Sequence, residues 1–106
     1  MAPNEYRIPI SPSARIALRN FLEAYAYFDA FTAPPELYHL HLDEIQELQH
    51  KIESERLSFT ARELGFLYEA AGFLTCQLYQ LEGLTAPERV ELRALELVLE
   101  NIDRLN

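Results

Sequence analysis

FTARELGFLYEAAGFLTCQLYQLEG, residues 59–83, is the stretch around which the chain is organised. Thr60 is placed to cap a helix, because its hydroxyl can accept from an unpaired backbone N–H of the first turn. Glu63, three residues on, can reach back to the Thr60 N–H and complete a capping box. Phe59 and Leu64 occupy the two positions of a hydrophobic staple. Gly83 can adopt the left-handed conformation that closes a helix, so the spacing predicts a helix over 61–82. Leu64, Leu67, Ala71, Leu74, Leu78 and Leu81 alternate steps of three and four and draw one apolar stripe. A second apolar row, Phe66, Ala70 and Phe73, runs beside it. A third strip, Gly65, Gly72 and Cys76, is small. Glycine inside a helix costs about 1 kcal/mol against alanine, so two of them imply close approach of another backbone or of a ligand. A helix apolar on so many sides must be covered on all of them. Tight packing inside one bundle would do it, and so would a partner surface.

The other segments read as partners for this helix. Residues 1–10 are an extended N-terminal arm. Tyr6, Ile8 and Ile10 alternate, and Pro9 excludes a central strand. The single domain then occupies 11–106. Ser11 as cap with Pro12 at the first helical position starts a helix over 12–31. Its apolar face is Ile16, Leu18, Phe21, Leu22, Tyr25, Phe28 and Phe31, with Tyr27 off that face. Thr32-Ala33-Pro34-Pro35 breaks the chain. A helix over 35–55 follows, with Leu37, His41, Ile45, Leu48 and Ile52 inward and an expected Glu47–Lys51 ion pair. Arg56-Leu57-Ser58 is expected to turn into the central helix. Thr85, Pro87 and Glu88 start the last helix, over 86–105, with Leu92, Leu95, Leu99 and Ile102 inward. Joined by short turns, such helices make an all-α, antiparallel up-down four-helix bundle behind the arm. The main alternative is a helical hairpin pair that completes its core by dimerising.

Composition narrows the function. The chain has 106 residues and a net charge of −8, with Lys51 its one lysine against eight arginines. So acidic a domain repels nucleic acid and anionic lipid, and no direct nucleic-acid or membrane partner is expected. No apolar run reaches the length of a membrane span. One cysteine, Cys76, excludes a disulfide framework and fits a reducing compartment. With no secretion signal in view, the cytoplasm is expected, and Cys76 is expected to be a small buried hydrophobe.

Little points to chemistry. Glu36-Leu37-Tyr38-His39 and Glu47-Leu48-Gln49-His50 both spell the Glu-x-x-His of di-iron bundles, but both lie on one helix and both histidines leave the inner stripe. No zinc spacing, phosphate loop or nucleophile motif is present. No cofactor, metal ligand or catalytic residue is therefore assigned, and no enzymatic activity is expected. The leading expectation is a non-enzymatic protein–protein interaction module, such as an inhibitor, an immunity or antitoxin-like protein, or an adaptor. Its partner would be another protein or its own copy in a homodimer. It would act through an aromatic face, Tyr27, Phe66, Phe73 and Tyr79, or through the acidic helix face Asp43, Glu44 and Glu47, which could enter a basic nucleic-acid channel of a partner. The alternative is a small-molecule carrier or sensor, with Gly65, Gly72 and Cys76 admitting a ligand and His41 or Tyr68 as polar anchor. A metal-dependent enzyme comes last.

Overall fold

The computed structural model describes residues 5–28, 42–54 and 57–105, with the backbone alone at 25–28 and 42. Among these, four helices and two short strands appear: β1 (Glu5–Arg7), α1 (Pro12–Phe28), α2 (Leu42–Glu53), β2 (Ser58–Thr60), α3 (Ala61–Tyr79) and α4 (Ala86–Asp103). The predicted continuations over 29–31 and 35–41, His41 included, lie outside the described residues. No described helix is long and apolar enough to cross a membrane.

Both capping boxes form. The Thr60 N–H donates to Glu63 at 2.8 Å while the Glu63 N–H donates to the Thr60 hydroxyl at 3.2 Å. Thr85 and Glu88 repeat the arrangement at 2.8 and 3.3 Å. The cap also explains β2. An N-cap residue has extended dihedrals, and Thr60 sits at φ −72°, ψ 164°. The residues leading into it are extended as well, which leaves their backbone groups open to a second strand. The arm supplies it, pairing antiparallel with Glu5 opposite Thr60, Tyr6 opposite Phe59 and Arg7 opposite Ser58. The Ile8 N–H adds a bond of 3.1 Å to the Leu57 carbonyl. The expected turn at Arg56–Ser58 is thus partly strand. Ile8 and Ile10 point into the core while Arg7 and Pro9 face out, so the missing N–H of Pro9 leaves no ladder bond unmade.

Helix α3 stops at Tyr79, short of Gly83. Gln80 and Leu81 donate to carbonyls three residues back, tightening the last turn to 3₁₀ geometry. Gly83 then takes its left-handed conformation, φ +72°, in the connection rather than at the helix end. Leu81, expected on the inner stripe, is 50% exposed.

The core joins every element. Ile8 and Ile10 from the arm meet Leu18 and Leu22 of α1, Ile45, Leu48 and Ile52 of α2, Phe59, Phe66, Leu67, Ala70 and Ala71, and Leu95, Val98 and Ile102 of α4. Helix α1 buries Ala14, Ala17, Leu18 and Leu22, whereas Ile16, expected to face inward, is 53% exposed. The second apolar row of α3 is covered by α1. The Phe21 ring lies 6.3 Å from that of Phe66 and 5.8 Å from that of Phe73, both tilted, the geometry that aromatic quadrupoles favour.

Neighbouring residues fix several directions. Tyr79 near the end of α3 reaches Glu96, and Tyr68 near its start reaches Asp103, so α3 and α4 run in opposite directions. Arg15 and Arg19 border Ile52 and Glu53, which sets the start of α1 against the end of α2. Ser13 and Ile16 share a shallow groove with Pro87 and Glu88. The starts of α1 and α4 are therefore neighbours. The arm accounts for this. Tyr6 lies beside Leu105 at the far end of α4, and an extended chain of seven residues covers about 24 Å, close to the length of α4.

Candidate functional site

The sole lysine is spent on structure. Lys51 turns inward, donating to Glu63 at 2.7 Å and to Glu5 at 2.9 Å. The expected Glu47 partner is replaced because Glu63, only 8% exposed, offers a carboxylate with little water around it. One Glu63 oxygen thus serves both the α3 cap and the tie that holds the arm. Burial opposes the charge on Lys51, but its hydrogen bonds to Glu5 and Glu63 and the charges of those two carboxylates outweigh burial and raise its pKa.

The sequence-derived contact residues do not form one face. Phe66 is fully buried and belongs to the core, not to a spare face. Phe73 is half-buried against Phe21. Tyr79 is 62% exposed and its hydroxyl donates to Glu96, which with burial raises the phenol pKa. The side chain of Tyr27 lies outside the described set. On α2, Asp43 and Glu47 are exposed, but Glu44 is paired with Arg62, Nε to carboxylate at 2.6 Å. The acidic helix face is thereby reduced.

The small strip also departs from expectation. A Cβ built on Gly72 would meet nothing within 4 Å, so no backbone or packed side chain presses on it. Cys76 is exposed rather than buried. Neither Gly72 nor Cys76 borders the groove that Gly65 lines.

Gly65 and Tyr68 do come together, in an open-sided groove of about 470 Å³ where the arm meets α3 and α4. Ala61, Leu64 and Gly65 of α3, Ile102 and Leu105 from the end of the chain and Tyr6 of the arm line it. Glu69 and Asp103 bring two carboxylates to it, and among the described residues no basic side chain lines it. The charge of Asp103 and a hydrogen bond to its carboxylate, helped by a little desolvation and by Glu69, raise the Tyr68 phenol above its ordinary pKa. The ring stays neutral and the hydroxyl stays a donor. Arg15 and Arg19 border a separate groove between α1 and α2.

Sequence reasoning missed Tyr6, Ile102, Asp103 and Leu105 as groove residues. The alternation of Tyr6 with Ile8 was the available signal, but the pairing that carries Tyr6 to α3 joins residues more than fifty positions apart. Among the described residues no group of three His, Cys, Asp or Glu side chains could hold a metal ion. Comparison with models of protein families, with curated proteins and with solved structures finds no match to the chain.

Proposed function

We propose that the chain is a non-enzymatic protein–protein interaction module whose contact surface is the groove between the arm, α3 and α4. The observation that carries this reading is the lining of that groove by the described residues: apolar walls, two tyrosines and two carboxylates with no basic side chain among them. Exposed tyrosine is enriched at interface centres, and here Tyr6 and Tyr68 stand beside the exposed Leu105. Interaction through Phe66 is set aside, since that ring is sealed in the core. A foreign partner is favoured over a second copy, because two chains of charge −8 repel. The cytoplasm remains the proposed compartment, on the lone unpaired Cys76. For the architecture we infer two antiparallel helix pairs, α1 with α2 and α3 with α4, threaded by the arm, rather than a strictly alternating bundle.

The test is capture from native lysate by the whole chain and by a Tyr68→Ala, Leu105→Ala variant, with light scattering of what is eluted. A defined complex retained by the first and lost by the second supports the reading. Equal retention by both removes the groove from it.

A second reading has its own support. A volume of about 470 Å³ lies within the range of small-molecule sites, and Gly65 and Tyr68, both candidates for ligand contact, line it. Native mass spectrometry of the purified chain discriminates: a stoichiometric adduct favours a carrier or sensor, and a bare mass favours the interaction module.

A further inference from the structure

We propose that the groove between the arm, α3 and α4 receives a basic segment of another protein, an arginine of which lies against Tyr6 and Tyr68 with its guanidinium facing Glu69 and Asp103. The inference rests on the interaction reading above and names the chemistry of its partner.

Three observations converge on a cation. Glu69 and Asp103 border the same groove, and among the described residues no basic side chain lines it. Neither carboxylate has an ion-pair partner among the described residues. Other acids on the arm, α2, α3 and α4 are already taken, Glu63 and Glu5 by Lys51, Glu44 by Arg62 and Glu100 by Arg93. The two left over therefore carry uncompensated charge beside an apolar wall, where an incoming cation gains most.

The tyrosines supply the second element of recognition. Tyr6 and Tyr68 are each more than a third exposed and present ring surface to the groove, and guanidinium groups are attracted to such faces. An ordinary phenol is neutral near pH 7 and Asp103 raises the Tyr68 pKa further, so the ring is no anion near neutrality. The walls supply the third. Leu64, Ile102 and the exposed Leu105 suit the aliphatic stem of a long basic side chain, which packs on apolar surface while its head stays polar. Arginine fits better than lysine because its planar group can stack on a ring and engage a carboxylate through two donors at once. The overall charge of −8 would steer such a segment from a distance.

The test is an amide-shift titration of the full chain with a short arginine–leucine peptide and with its citrulline–leucine twin, which has the same shape and no charge. The arginine peptide is expected to shift Gly65, Tyr68 and Leu105 and to bind at least about tenfold more tightly than the twin. A Glu69→Gln, Asp103→Asn variant should erase that difference, and an Asp43→Asn, Glu47→Gln variant should keep it. Shifts centred on α2, or a difference that survives Glu69→Gln, Asp103→Asn, would overturn the proposal. Equal binding of both peptides in the groove would also overturn it while leaving the interaction reading standing. If neither peptide touches the groove, both readings fail together.

Discussion

Lys51 sets the energetics at the scale of single residues. It joins three segments distant in sequence, the arm, α2 and the start of α3, through Glu5 and Glu63. Replacing it by methionine keeps the stem and removes the charge, which leaves Glu63 nearly buried with only the Thr60 N–H on that oxygen. A deserted buried carboxylate of this kind costs about 2 kcal/mol, so Lys51→Met should lower the urea midpoint, with loss of amide protection at Tyr6 to Ile8. The pH dependence has a definite sign. The folded-state pKa of Lys51 lies above its unfolded value, so its contribution is whole below about pH 10.4 and disappears as the pH rises through the folded pKa. The wild-type and Lys51→Met midpoints should therefore converge at high pH. Curves that stay parallel across that window would show that the ion pair contributes nothing. Glu88 acts in the opposite sense. Its hydrogen bonds from the Thr85 backbone and hydroxyl hold its carboxyl below the ordinary range, so its share of the cap is present at neutral pH and fades as the solution is acidified.

At the scale of elements, α3 shows which interactions a sequence discloses. The capping boxes at Thr60 and Thr85 were legible because donor and acceptor lie three residues apart. The inner stripes were legible because helical period and burial coincide at Leu64, Leu67, Leu92 and Leu95. The strand pair was not, since Tyr6 opposite Phe59 depends on closing a loop that no local pattern records. Gly72 was misread for a related reason: a glycine in a helix implies a close neighbour only if one is there. With nothing within 4 Å of a Cβ at that position, Gly72→Ala should stabilise the protein by about 1 kcal/mol through helix propensity alone. Gly83, at φ +72°, should respond the other way, alanine costing about 1 kcal/mol or more. Thermal melts of the two variants, moving in opposite directions from the wild type, check both. A loss at Gly72 would restore the idea of a close packing partner there. The groove was half legible: Gly65 and Tyr68 sit on α3 itself, whereas Leu105 and Asp103 join them only because α4 returns antiparallel alongside.

For the whole molecule, the question is whether the apolar surface of α3 needs a second copy to cover it. The row of Phe66, Ala70 and Phe73 had suggested so, but Phe21 of α1 closes over both rings. Apart from Tyr6, Tyr68 and Leu105 in the groove, what stays open among the described residues is dispersed. Tyr79 and Leu81 lie near the end of α3, and Val90 and Leu97 lie on the outer side of α4, interleaved with Arg89, Arg93, Glu96 and Glu100. Single exposed apolar groups of this kind are ordinary on a monomer, and the charge of −8 opposes self-association. Light scattering should therefore give the mass of one chain, 12.3 kDa, at low and at high salt. Equilibrium unfolding sharpens the point, because a chain that folds only as a dimer has a midpoint that rises with protein concentration. The midpoint here should not move over a hundredfold dilution. Phe66→Ala should lower it by the equivalent of about 3–5 kcal/mol at every concentration, as for a ring packed within its own chain. A penalty that grew on dilution would place Phe66 at a subunit boundary and return the dimeric reading.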